Sequence, residues 1–145
     1  MSSNTNELAP FIHTGLTHLQ ELCGSTAASK GFHDDRPLNK TLHQKAALRD
    51  WQGNKLLLIV SEIVEAHDEI RTGHPADETY YPSIEWDDET FERKPNKPEG
   101  VPSEIADAVI RCFDFAYTEG FSLADIIAEK LAYNATREYM HGKKF

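Results

Sequence analysis

Two pairs of acidic residues carry spacing that could do chemistry. Glu62 and Glu65 stand at i and i+3, and Glu104 and Asp107 repeat that interval after a long spacer. On a helix, residues three or four apart share one face, so each pair aims two carboxylates in one direction. Glu69 extends the first stripe at i+7, and Asp68 adds another acid beside it. Glu65 and Glu69 are like charges at i, i+4, which costs roughly 0.2–0.5 kcal/mol in an isolated helix. No Lys or Arg follows Glu62 or Glu65 by four residues to relieve them. Four carboxylates converging from two antiparallel helices would suit Mg²⁺ or Mn²⁺, which prefer oxygen donors to thiolates. Each pair alone has a plainer explanation, because acids on a long helix form a solvated face and acids in a first turn are favoured by the helix dipole. Their joint occurrence, each beside an apolar stripe, points to a metal.

Cations and rings recur at matching intervals. Lys130, Asn134 and Arg137 lie at i, i+4 and i+7 near the C-terminus, with Lys143 and Lys144 beyond them. Such a face would hold phosphate, although basic residues at a helix C-terminus also complement the dipole. Trp51 and Lys55 precede Glu62 by eleven and seven residues. At 100° per residue both return to within about 20° of its direction. That stripe offers an indole ring for a base and an ammonium for a phosphate, or a core tryptophan and its neighbour. Phe32 and His33 stand out in a small-residue stretch, with Phe32 serving either as a plug over the core or as a stacking ring or lid.

The elements that must position these groups are helical. Leu8, Phe11, Ile12, Leu16, Leu19, Leu22 and Cys23 recur at helical spacing, predicting a first helix over 7–23, with Pro10 in its first turn and Gly24 ending it. Residues 24–40 read as a loop and residues 1–6 as frayed. Thr41-Leu-His-Gln44 has capping-box form, so a second helix starts there and runs toward Arg71, with a possible break at Gly53 and a stop at Gly73 and Pro75. The run Leu56–Val60 suits burial on most sides, and Leu56, Ile59, Val60, Ile63 and Ile70 form the stripe expected to face the core. Residues 74–102 hold five of the seven prolines with Tyr80, Tyr81, Trp86 and Phe91. A loop so long tends to be functional, and its YYPSIEW piece could form a short hairpin arm. Ser103 would cap a third helix to Glu119, closed by Gly120. Ser122 and Asp125 would open a fourth, with Leu123, Ile126, Ile127 and Leu131 inward. The expectation is one all-α domain over 1–145, an up-down bundle of four helices with a loop insertion at 74–102.

Composition narrows the partners. A net charge of −9 argues against a nucleic-acid surface, yet not against a nucleotide, because a bound cation reverses the local sign. Cys23 and Cys112 lack CxxC spacing and read as reduced core thiols of an intracellular, cytoplasmic protein. No signal peptide is expected at MSSNTNELAP, and no segment approaches a membrane span.

SEIVEAHDE (61–69), SEIADAVIRCFDFA (103–116) and DIIAEKLAYNATREYMHGKKF (125–145) together resemble the MazG-like nucleoside triphosphate pyrophosphohydrolases of the all-α NTP pyrophosphatase superfamily. The basic tail is similar to that of phage and mobile-element members. Ser61 stands where many members carry another Glu, and the spacer between the acid pairs is longer than usual. The resemblance implies a helical bundle that forms homodimers or homotetramers, with Mg²⁺ held by Glu62, Glu65, Glu104 and Asp107. It also implies hydrolysis of an NTP or dNTP to the monophosphate and pyrophosphate, water attacking the α-phosphorus. Lys130, Arg137 and Lys55 would then hold the phosphates, Asn134 a phosphate or the sugar, and Trp51 or Phe32 the base. Two other classes compete. One is a non-catalytic helical module that binds nucleotide or protein. The other is a di-iron carboxylate bundle, which wants E-x-x-H on its helices, whereas both acid pairs here lack the His and His67 and His74 are off that spacing.

Overall fold

Among the described residues four helices form the regular structure, and short-range chemistry sets most of their ends. The computed structural model describes residues 10–137, apart from 83, 85 and 88. Helix α1 spans Pro10–Ser29, α2 Leu42–Thr72, α3 Val101–Glu119 and α4 Leu123–Ala135. Among the described residues there is no strand, and the protein is all-α. No described helix is long and apolar enough to cross a membrane. The expectations for residues 1–6, Leu8, Ser83, Glu85 and the tail with Lys143 and Lys144 lie outside the described residues. The chain divides into two compact units, Met1–Asp34 with Phe113–Phe145, and Asp35–Cys112.

In the first unit α1 meets α4 through polar ties. His13 Nε2 lies 2.7 Å from Asp125 Oδ1. The Gln20 amide donates to the Phe121 carbonyl at 2.8 Å and accepts from the Leu123 N–H at 3.0 Å. Ser122 caps α4 as its sequence position suggests, its hydroxyl accepting from the Asp125 N–H. The reading of Gly24 as a helix end is overturned, because α1 continues to Ser29 and the chain turns out at Gly31, φ 80°. Gly24 is buried against Tyr117, whose ring and Cβ occupy the space a side chain would need. Glycine stands there for close approach, not for a turn. Gly24→Ala should therefore destabilise by about 1–3 kcal/mol, the usual range for overpacking. Gly53→Ala, in open space within α2, should stabilise by up to about 1 kcal/mol. Paired thermal melts check both signs. Further along, His33 bonds Asp114 at 2.7 Å and Thr118 at 3.0 Å, tying the segment after α1 to α3. Phe32 beside it is 63% exposed, so it is not a core plug.

In the second unit α2 begins as a complete capping box. Thr41 accepts from the Gln44 N–H, and the Gln44 side chain accepts from the Thr41 N–H. The helix runs through Gly53 unbroken and stops at Gly73 in the left-handed region, φ 102°. Its buried residues are Leu48, Trp51, Glu62 and Ala66. This corrects the expected core stripe. Leu56, Val60, Ile63 and Ile70 are about half exposed, as are Leu57 and Val64. The covered face of α2 is the one that carries Trp51 and Glu62, and the apolar run lies largely beside it.

The segment between α2 and α3 folds back on itself. Tyr80 pairs with Glu99 and Trp86 with Arg93, both antiparallel. Both pairs are centred between residues 89 and 90, so they share one hairpin register. Pro82, Pro95 and Pro98 lack N–H donors, which keeps the bridges from growing into a ladder. At the tip, the Asp87 carboxylate accepts from the N–H groups of Thr90 and Glu89, which hold it below its ordinary range. At the base, the Tyr80 hydroxyl donates to Glu69 at 3.2 Å, and His74 stacks on the Tyr80 ring. Helix α3 starts at Val101, two residues before the expected Ser103 cap. Gly100, φ 101° and pressed against the Glu78 carbonyl, makes that turn, and the Ser103 hydroxyl donates instead to the Pro98 carbonyl at 2.8 Å.

Candidate metal centre

Glu62 of α2 and Glu104 and Asp107 of α3, all within Asp35–Cys112, each offer a carboxylate oxygen, and the three oxygens lie within 4.8 Å of one another. The secondary structure explains the convergence. Glu62 sits on the covered face of α2, and the i, i+3 spacing of Glu104 and Asp107 turns both toward it. Glu62 and Glu104 are each only 5% exposed, and Asp107 is half-buried. Burial is what pushes the Glu104 carboxyl above its ordinary range, followed by the charge of Glu65 and the hydrogen bond and charge of Glu62. Neighbouring carboxylates out of water resist joint ionisation unless a cation joins them. Glu65 itself is exposed and stands outside the triad, although its charge reaches Glu104.

The donor set is all oxygen, with no histidine or thiolate. That chemistry suits a hard divalent cation, and opposite ligand oxygens stand about 4.0–4.2 Å apart across Mg²⁺. Among the described residues it is the one group of acids, histidines or cysteines so arranged. His74 is engaged elsewhere, with Glu78 at 2.7 Å. Burial pushes up the thiols of Cys23 and Cys112, both free, as befits packing groups rather than ligands or nucleophiles.

One cation at this site escaped the sequence reading, and so did a second in the segment before α3. The Arg111 Nε–H donates to Glu62 at 2.6 Å. Its position was discoverable, since Arg111 follows Asp107 by four residues and Glu104 by seven on one helix face. Lys97, in the segment before α3, pairs with Glu99 at 2.9 Å. That bond chiefly holds its ammonium above the ordinary range, and the charges of Glu104 and Asp107 add to it. No periodicity in the proline-rich segment marks Lys97 out. Arg111→Met should leave Glu62 buried without its cation, lowering the metal-free melting temperature and enlarging the upward shift produced by saturating Mg²⁺. Differential scanning fluorimetry with and without EDTA measures both.

The remaining expected site residues divide between the units. Trp51 is buried, its indole N–H donating to Asp35 at 2.9 Å. The Lys55 ammonium lies over that ring, 4.9 Å from its centroid, and the Arg36 guanidinium at 5.8 Å. The Trp51 ring, read from sequence as either a base-stacking surface or a core tryptophan, is buried with cations over it. Lys130, Asn134 and Arg137 belong to the other unit and are exposed. Helix α4 ends at Ala135, so the helical i+7 register does not extend to Arg137. Lys130 lies 5.5 Å from the Tyr133 ring.

No protein-family model, curated protein or solved structure matches the chain.

Proposed function

We propose that the chain is a Mg²⁺-dependent nucleoside triphosphate pyrophosphohydrolase of the MazG-like type, cleaving an NTP or dNTP between its α- and β-phosphates. The observation that carries the reading is the meeting of Glu62, Glu104 and Asp107 in one oxygen-lined cluster from two segments of chain far apart in sequence. Four helices with a long segment between the second and third accord with a MazG-like bundle bearing an insertion. A bound Mg²⁺ would lower the pKa of a water and screen the carboxylates from an incoming polyanion.

The side chains divide the work. Glu62, Glu104 and Asp107 hold the cation, and Glu65 at the rim accepts a hydrogen bond from the attacking water and orients it. Arg111 orients Glu62 through its hydrogen bond. Lys55 contacts a phosphate, as the resemblance implies; the phosphate and sugar roles it implies for Lys130, Asn134 and Arg137 fall on residues of the other unit. The free thiols accord with a reducing intracellular compartment. A panel of NTPs and dNTPs, assayed for pyrophosphate and for single phosphate with Mg²⁺ or EDTA, tests the reading and ranks the bases. No turnover of any substrate would favour a nucleotide-binding module instead.

The uncovered face of α2 accords with a homo-oligomer. Leu57 is 64% exposed and Val64 52%, seven residues apart on a face with Val60 between them. Large apolar surfaces of this kind mark interaction sites, and a second copy of the chain is the occupant the resemblance implies. Leu57→Glu with Val64→Glu should convert the assembly to monomer in light scattering coupled to gel filtration. A monomeric wild type would contradict the proposal.

A further inference from the structure

Two cations gather on one buried ring within Asp35–Cys112. The Lys55 ammonium lies 4.9 Å from the Trp51 centroid and the Arg36 guanidinium 5.8 Å. Trp51 is 8% exposed, and its indole N–H donates to Asp35 at 2.9 Å. That bond holds Asp35 to the ring on one side of Arg36, while Pro37 on the other side biases the Arg36 backbone to extended geometry. Lys55 follows Trp51 by one turn of α2, on the same face. Both cations are half-buried, so each is held at the ring rather than trailing into solvent.

The ring holds these charges without consuming their donors. A cation over an aromatic face is attracted by the ring quadrupole. A guanidinium placed there keeps N–H groups for an oxyanion, and arginine matches phosphate geometry with two parallel bonds. The ammonium has three donors of its own. Two like charges brought to one ring repel each other, and a half-buried position screens that repulsion less than open water does. An anion bound by both relieves it. Asp35, the carboxylate bonded at the ring, is engaged by the indole. Because both charges lie close to one centroid, a single triphosphate chain with a hydrogen bond at each end can span them.

We propose that Arg36 and Lys55, set on the Trp51 ring, together bind the phosphate chain of a polyphosphate. The proposal rests on the phosphate reading of Lys55, adds Arg36 to it, and needs no cation at Glu62, Glu104 and Asp107. Its ligand chemistry is shared by nucleoside triphosphates and inorganic tripolyphosphate.

Calorimetric titration of the full chain with inorganic tripolyphosphate, in EDTA and at low ionic strength, tests it without turnover. Arg36→Gln and Lys55→Gln should each weaken binding about tenfold, as expected for one charge-assisted contact. Arg36→Lys, which keeps the charge, should lose less than Arg36→Gln. Arg49→Gln, which removes an exposed cation from the same helix as Lys55, should change binding less than twofold. ATP titrated in the same buffer separates the two sources: tighter binding than tripolyphosphate points to a nucleotide, weaker binding to an inorganic polyphosphate. If Arg36 only packs on Trp51, Arg36→Gln lowers the melting temperature and leaves tripolyphosphate binding intact, which overturns the proposal. An equal loss in Arg49→Gln, or a wild type that binds no tripolyphosphate, overturns it too. If nucleotides are hydrolysed with Mg²⁺ while Arg36→Gln binds tripolyphosphate unchanged, Arg36 is excluded and the hydrolase reading stands. If no nucleotide is hydrolysed but the tenfold loss appears, the anion site stands and the hydrolase reading falls.

Discussion

Glu62→Gln and Asp107→Asn are each expected to abolish pyrophosphate release while leaving the helical circular dichroism spectrum unchanged. The expected loss is about a thousandfold or more, corresponding to about 4 kcal/mol of lost transition-state stabilisation. Both substitutions remove a formal charge and keep nearly the same shape, so they weaken the cation's hold without opening a cavity. Glu62 sits between Arg111 and the acids of α3, and the variant amide oxygen can still accept from the guanidinium. Helix content therefore survives while the Mg²⁺-induced thermal shift disappears. Initial rates with and without Mg²⁺, set beside far-UV spectra of the same samples, check the separation. Activity at the wild-type level in either variant removes that residue from the cation site.

Glu104→Gln is expected to lose turnover to a similar degree and to gain stability without metal. The sign follows from its raised carboxyl. Below the ordinary value of 4.5 the group is protonated in both folded and unfolded chains and contributes no difference. As pH rises past that value the unfolded chain ionises first while the folded chain keeps its proton. The folded state then holds more protons, and its stability falls with pH until Glu104 ionises in the folded protein too. The variant has no proton to lose at this site. At pH 7.5 in EDTA it should melt higher than wild type by roughly 3 °C, the effect of about 1 kcal/mol in a chain of this length. Asp87 and Asp125 lie below their ordinary range and act in the opposite direction. The wild-type-minus-variant difference across pH isolates Glu104 from them. Mg²⁺ should raise the wild-type melting temperature and leave the variant unmoved. A variant less stable than wild type throughout would mean that the ionised Glu104 supports the fold.

Where signals are local, the sequence was a reliable guide. The Thr41–Gln44 capping box, the left-handed Gly73 and Gly120 after their helices, and the Ser122 cap all depend on residues within one turn. The i, i+3 acids on two helices likewise required only helical geometry. Gly24 misled because its role depends on Tyr117, far away in sequence, and periodicity carries no record of such a contact. Ser103 misled because Gly100 starts α3 earlier and draws the Ser103 hydroxyl to Pro98. The Leu56–Val60 run showed a face that must be covered but not what covers it. Trp51 and Lys55 lay on the expected stripe, yet Asp35 had to be found in space.

The most direct test of the central claim is turnover in ¹⁸O-labelled water with Mg²⁺, with the products resolved by mass spectrometry. Attack at the α-phosphorus puts the label in the nucleoside monophosphate and leaves the pyrophosphate unlabelled. Label in a released single phosphate, or in pyrophosphate, would contradict the account.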